Sequence, residues 1–430
     1  MLEPSLMVIG INFHTAPVAV RERFWVAPAK RREILSYLTE AEGIEEALVL
    51  ATCKRTEFVL WANDATLAAN SVLRLLSSAY SLQLCEWEHF YRLLGEDALI
   101  HVFRVASGLD SIVSGDPEAV VHLQQAWQEA QKANCTGRYL DSVLQKAFSV
   151  SDSIRQHSDV EQPGISIASV AVETAKEIFD SLENRQIVLI GAGRMGELAA
   201  GFLANQGAKS IRVLDRVFER ALELAQKVGG TAVPCEDLLE EIANADLVIG
   251  CAAVAGPLIN EQQAQRIVRQ RKGKLLCIID VGLPRNVAAG IRDLDGVFLY
   301  DLDDIRKTIG QSGPGKSAML VAENTIAGEA KEFQRNLSRE HIIPLIVTLR
   351  ERLDQLCEIE LQAFRRERGP FLREQDHLLT ELTSRITQGL AMSLVRQLKE
   401  VPEKSEQQHM ADAVHRLFHL EAEKELVSSK

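Results

Sequence analysis

The stretch "RQIVLIGAGRMGELAA", Arg185 to Ala200, runs from an apolar segment through a glycine loop into a helix-favouring segment. Gly191, Gly193 and Gly196 stand in GxGxxG spacing at that junction. The first glycine permits a tight turn, the second lets a pyrophosphate approach the backbone, and the third lets helix and strand pack closely. The helix N-terminus then offers unpaired N–H groups to the phosphates. A glycine turn in another nucleotide-binding sheet would share the spacing, so the context decides. The next apolar run, "SIRVLD", ends on Asp215, where a βαβ dinucleotide site needs a carboxylate. The cofactor-binding candidates are therefore Gly191, Ala192, Gly193, Arg194, Met195, Gly196, Asp215 and Arg216. Asp215 would accept hydrogen bonds from ribose hydroxyls and repel a 2′-phosphate, whereas Arg216 would attract one, so NADH and NADPH both stay open.

On the C-terminal side the pattern repeats. "ADLVIGCAA", "KLLCIIDVG" and "GVFLYDL" are short strand-like runs separated by helices or loops, which predicts a doubly wound parallel sheet over residues 158–310. On the N-terminal side, residues 1–157 mix runs such as "SLMVIGINF" and "EALVLAT" with helical stretches, an α/β pattern. The "SDVEQPGIS" segment from Ser158 marks the boundary between them. Residues 311–430 are glycine-poor and helix-favouring, and Ile342, Leu345, Ile346, Leu349, Leu353 and Leu356 recur at helical spacing. That stripe suits either a core within one chain or a dimer seam.

Composition narrows the class. A chain of 430 residues with 46% hydrophobic and 25% charged residues exceeds one ordinary core and has no disordered character. There is no cationic leader and no apolar run of membrane-spanning length, so a cytoplasmic protein without membrane association is expected. Seven scattered cysteines without CxxC or Cys/His spacing argue against a disulfide framework and a metal site. A net charge of −12 opposes a global attraction to DNA or RNA, although Lys30 to Arg32 and Arg266 to Lys274 are locally basic.

One cysteine stands apart. In "EEALVLATCKRTEF", Cys53 follows an apolar run and precedes Lys54 and Arg55, cations that would lower a neighbouring thiol's pKa from about 8.5 toward neutrality. Cys251 and Cys277 lie inside apolar runs and read as core residues.

"GINFHTAP" (residues 10–17), "ATCKRTE" (51–57) and "HVFRVASGLDSIVSGDPE" (101–118), followed by the glycine loop, "IIDVGLPRNV" and "YDLDDI", together resemble the glutamyl-tRNA reductases over roughly residues 7–360. The resemblance implies an N-terminal α/β catalytic domain, a Rossmann domain for NADPH and a C-terminal all-α dimerisation domain on one long linking helix. It implies that Cys53 attacks the ester carbonyl of glutamyl-tRNA(Glu), that the thioester accepts hydride from NADPH, and that glutamate-1-semialdehyde leaves for tetrapyrrole synthesis. His101 matches a general acid or base, and Arg55 matches a residue that pairs with a substrate carboxylate. Thr52 and Ser111 match substrate contacts, while His14 matches a position without an assigned role. A homodimer and a channelling glutamate-1-semialdehyde aminotransferase as partner are implied in the same way.

The pocket departs from the family pattern at several points. Lys54 replaces Asn, and in "GDPEAVVH" Asp116, Glu118 and His122 stand where Glu, Gln and Gln are expected around Pro117. Asp215 replaces Asn before Arg216. An added charge at Glu118 disfavours an anionic substrate unless compensated, and Lys54 is the expected ion-pair partner. The reductase is the first expectation. Alternatives are a catalytically altered paralogue that binds dinucleotide or tRNA in a regulatory role, and a thiol reductase for another activated acyl ester.

Overall fold

The structure is a computed structural model that describes residues 4–157, 166–309, 316–340, 342–400, 410, 413–414 and 416–418. It divides into two compact units, Met1–Ala330 and Lys331–Lys430. The expected boundaries near residues 158 and 311 fall outside the described residues.

Among the described residues of the first unit, two sheets form. The N-terminal sheet contains β1 (Ser5–Asn12), β2 (Ile44–Ala51), β3 (Arg55–Ala62) and β4 (Tyr91–Leu94) in the order β2-β3-β1-β4. All its pairings are antiparallel. β1 and β3 are central and covered on both faces, which is why "LMVIGIN" and "FVLWA" are apolar runs rather than alternating ones. β2 and β3 form a hairpin whose register pairs Ala51 with Thr56. Residues 52–54 are left to the turn, and so Cys53 sits at a hairpin tip.

The second sheet holds β5 (Gln186–Ile190), β6 (Ser210–Leu214), β7 (Thr231–Ala232), β8 (Leu247–Gly250), β9 (Leu276–Asp280) and β10 (Val297–Asp301). All pairs are parallel and the order is β10-β9-β8-β5-β6-β7. This is the doubly wound Rossmann order, with its topological switch between β5 and β8, where a crevice opens at the strands' carboxyl ends. One apolar cluster runs from Ile187, Leu189, Ile249 and Ile279 of this sheet to Phe13, Val18, Ile112 and Val113 of the N-terminal part. The two parts thus share buried surface.

The second unit is helical. The helices Ile342–Arg368 and Arg373–Glu400 pack on each other. Leu349 and Leu353 are buried with Ala391 and Val414, so this part of the sequence stripe serves the chain's own core. The side chains of Ile342, Leu345 and Ile346 lie outside the described ones, and Leu356 is exposed. A different set, Leu378, Leu382, Ile386 and Leu390, is exposed at successive turns of one helix. No helix among the described residues is long and apolar enough to cross a membrane.

Candidate active site

The turn that carries Cys53 is fixed by backbone bonds on several sides. Thr52 N donates to Arg55 O at 2.8 Å, and Lys54 N donates to Thr52 Oγ1 at 3.2 Å. Phe13 N donates to Lys54 O at 3.1 Å, and Arg21 Nη1 donates to Cys53 O at 2.9 Å. The thiol is half-buried against the cluster shared with the Rossmann core. Cys251 and Cys277 are different: burial pushes the Cys277 thiol up to about 12, and burial together with Asp280 and Asp215 pushes Cys251 higher still. Neither supplies a thiolate near neutrality.

Arg55 and Glu57 share one face of β3 by strand alternation. Arg55 is only 3% exposed, and its Nη1 contacts Glu57 Oε1 at 2.8 Å and Asp110 Oδ2 at 2.9 Å, while Nη2 donates to the Asp110 carbonyl. Tyr91 donates its hydroxyl to Glu57, and His101 Nε2 lies 3.0 Å from the same carboxylate oxygen. His14 Nε2 is 3.1 Å from Asp110 Oδ1. Burial alone would raise both carboxyls. Against it, Arg55, His101 and the bonds from His101 and Tyr91 hold Glu57 at about 2, and His14, Arg55 and His101 hold Asp110 well below the usual carboxylate range. Glu57, His101 and Asp110 converge closely enough to suggest a cation site. The Arg55 guanidinium already bridges the two carboxylates and provides that charge.

This geometry changes the expected role of the two cations beside the thiol. Arg55 is committed to Asp110 and Glu57. Lys54, 4% exposed, forms its ion pair with Asp116, not with Glu118 as the sequence suggested. The reason lies in the preceding loop. Gly108, at φ +70°, sits against the backbone of Asp116, where an added Cβ would lie 2.6 Å from Asp116 O, and Gly115 N bonds to Gly108 O. The loop therefore folds back and delivers Asp116 to Lys54. Burial draws the Lys54 ammonium down to about 8, opposed by the Cys53 charge. Burial and then Lys54 lower His122 to about 4, partly offset by Glu118, one helical turn away. Ser111 is buried in the same loop, Thr52 is half-buried and Pro117 is exposed.

Glu118 is paired with Arg194 of the glycine loop, Nε to Oε1 at 3.1 Å and to Oε2 at 3.2 Å. The thiol domain and the glycine loop thus touch through two residues that the sequence reading placed in separate sites. Within the loop each glycine has its own reason. Gly191 adopts φ +104°, and an added Cβ there would meet Ala252 N at 2.7 Å. At Gly196 a Cβ would lie 1.9 Å from Gly191 O, whereas Gly193 has nothing within 4 Å. The open side at Gly193, next to the N-terminus of the helix Arg194–Asn205, fits a pyrophosphate. Asp215 accepts from Ala192 N at 2.8 Å and from Val217 N at 2.9 Å, so it braces the loop. Met195 is half-buried and Arg216 is exposed, as is Arg220, one turn further along.

Sequence reasoning missed Arg21, Glu57, Tyr91 and Asp110. Glu57, two residues after Arg55 on a strand, was the readable one, because alternation puts both on one face. Arg21 carried no signal at all.

Comparisons with known proteins cover each part of the chain. The family model described as glutamyl-tRNAGlu reductase, N-terminal domain, matches residues 9–158. Shikimate / quinate 5-dehydrogenase matches residues 173–308, and glutamyl-tRNAGlu reductase, dimerisation domain, matches residues 321–420. Glutamyl-tRNA reductase 2 of Koribacter versatilis is 32% identical over 97% of this chain and 95% of its own length. The glutamyl-tRNA reductase of Solibacter usitatus is 32% identical over 97% of this chain and all of its own. That of Syntrophobacter fumaroxidans is 34% identical over 96% of this chain and 91% of its own.

Proposed function

The chain belongs to the glutamyl-tRNA reductase family, and from that premise we propose that it reduces glutamyl-tRNA(Glu) to glutamate-1-semialdehyde, the first step of tetrapyrrole synthesis. The observation that carries this reading is the seam itself, where the Asp116–Glu118 segment joins Lys54 of the Cys53 turn, through Asp116, to Arg194 of the Gly191–Gly196 loop, through Glu118. In this reading the Cys53 thiolate attacks the ester carbonyl. The C–S bond forms, the C–O bond breaks, and the 3′-hydroxyl of the tRNA leaves with a proton. His101, oriented by Glu57 at 3.0 Å, is the group that moves that proton. Arg55, committed to Asp110 and Glu57, fixes the wall of the pocket and leaves Thr52 and Ser111 to contact the glutamyl group.

The Rossmann-like domain takes a nicotinamide dinucleotide, held at Gly191, Ala192, Gly193, Arg194, Met195 and Gly196, which supplies the hydride when bound. We assign NADPH as the preferred form, with NADH also accepted. Both Asp215 oxygens already accept loop N–H groups, and the exposed guanidinium of Arg216 beside it suits a 2′-phosphate. The altered pocket residues are partnered inside the fold, Lys54 with Asp116 and Glu118 with Arg194, which supports a working pocket over a silent relative. The exposed stripe Leu378, Leu382, Ile386 and Leu390 suits a homodimer. A cytoplasmic enzyme that hands its labile aldehyde to an aminotransferase completes the reading.

The test is incubation with glutamyl-tRNA and either dinucleotide. Aldehyde should form faster with NADPH than with NADH, and without cofactor the tRNA should be slowly deacylated. Absence of both reactions in a protein that still binds dinucleotide would contradict the assignment.

A further inference from the structure

Ten residues of the N-terminal part, from Phe13 to Glu22, are held by three side chains of the Rossmann part. Arg285 grips Glu22 through its backbone N at 3.1 Å, its Nε at 3.0 Å and its Nη2. Arg306 donates to the Phe13 carbonyl and stacks over the Phe13 ring at 5.0 Å. Asp303 accepts from Val18 N at 2.7 Å through Oδ2 and from Arg21 Nη2 at 2.7 Å through Oδ1. Arg285 lies in "LPRNV", and Asp303 and Arg306 follow "YDL". These residues lie in or beside the stretches "GINFHTAP", "LPRNV" and "YDLDDI", to which the sequence reading gave no chemical task.

Arg21 is the unusual member. Its side chain is 1% exposed, and its three nitrogens go to three different places: Nε to Ala16 O at 3.2 Å, Nη1 to Cys53 O at 2.9 Å, and Nη2 to Asp303. A buried guanidinium needs a carboxylate counter-charge, and Asp303 of the Rossmann part provides it. The planar fork of an arginine fixes the spacing between what its two Nη atoms hold. The carbonyl of the proposed nucleophile and a carboxylate of the dinucleotide domain are thereby held at one distance by one rigid group.

We propose that Arg21 is a positioning residue that couples the seating of the dinucleotide domain, through Asp303, to the conformation of the Cys53 turn. When Asp303 is seated, Arg21 is neutralised and its Nη1 edge holds the Cys53 carbonyl. When it is not, the guanidinium loses its counter-charge and the turn loses that anchor. The thiol is thus held in place for the reaction when the hydride-supplying domain is present to complete it. This rests on Cys53 as the nucleophile.

The test uses the full-length chain with Asp303→Asn, Asp303→Glu, Arg21→Lys and, as control, Cys53→Ser. Steady-state reduction of glutamyl-tRNA gives kcat and KM. Alkylation by iodoacetamide, followed on the Cys53 peptide by mass spectrometry, reports the turn without substrate or cofactor. Asp303→Asn should lower kcat roughly 10- to 100-fold, with KM for glutamyl-tRNA within about twofold of the parent, because the loss is one of positioning. It should also change the Cys53 alkylation rate several-fold, through the Arg21 fork that holds both residues. Asp303→Glu, which keeps the carboxylate, should recover most of both. Arg21→Lys keeps the charge but not the fork, and should show the same pair of defects; it carries the test should Asp303→Asn fail to fold. An unchanged Cys53 alkylation rate in Asp303→Asn, whatever kcat does, overturns the coupling. If Cys53→Ser still forms aldehyde, the nucleophile assignment falls and the coupling with it. If Cys53→Ser is inactive while Asp303→Asn leaves both readouts unchanged, the coupling alone falls.

Discussion

The glycine loop and the charged cluster beside the thiol turn lie in the same unit of the chain and are built in opposite ways. The loop depends on missing atoms: Gly196 leaves room for the Gly191 carbonyl, and Gly193 leaves an open face. The cluster depends on added charge, with Arg55, Glu57, Asp110 and His101 closed on one another away from water. A loop of the first kind tolerates neighbouring changes and fails when a Cβ is added. A cluster of the second kind accepts conservative changes of shape and fails when one partner is removed, because the others are left buried and uncompensated.

Substitutions can break that contrast. The largest effect is expected at Arg55→Met, which strands Glu57 and Asp110 without their shared cation and should cost about 3–5 kcal/mol in urea unfolding. A loss under about 1 kcal/mol would show that the cluster is hydrated and not closed.

Next come the glycines. Gly196→Ala should destabilise by about 1–3 kcal/mol, because the clash is with backbone that must move. Gly193→Ala should leave stability unchanged and weaken dinucleotide binding. Equal effects at the two positions would remove the distinction between a packing glycine and an access glycine.

A pH series separates the charged groups. His122 is held at about 4, below its usual 6.5, so between those values the unfolded chain binds a proton that the folded chain does not. Stability should fall as pH drops from about 6.5 to 4, by roughly 1–2 kcal/mol from this half-buried group, and His122→Gln should flatten that window. Glu57, held at about 2, acts lower, and its contribution should fade as pH falls from about 4.5 toward 2.

The smallest effect is expected at Glu118→Gln, which frees Arg194 from its carboxylate. The Michaelis constant for NADPH should shift by no more than about tenfold while stability stays within about 0.5 kcal/mol.

The same contrast explains what could be read before folding. The glycine loop, its strand and Asp215 obey local spacing, so Gly191, Gly193 and Gly196 announced their strand–turn–helix fold. The doubly wound sheet followed from runs of apolar residues, and the helical unit from 3.6-residue periodicity. The cluster obeys no such spacing. Asp110 is 55 residues from Arg55, and Asp303 is 282 from Arg21, so their pairing exists only once the chain is folded. Lys54 was assigned to Glu118 because both stood out as departures from a family pattern. The turn at Gly108 gave it Asp116 instead, and Glu118 found Arg194.

The central claim is that Cys53 carries the glutamyl group while the dinucleotide domain reduces it. It is tested most directly by intact mass measurement of the protein after brief incubation with glutamyl-tRNA in the absence of dinucleotide, with peptide mapping of any adduct. A mass increase of one glutamyl group on Cys53, absent in Cys53→Ser and discharged as aldehyde on addition of NADPH, is the expected result. Aldehyde formation by the Cys53→Ser chain, or an adduct mapped to a different residue, would contradict it.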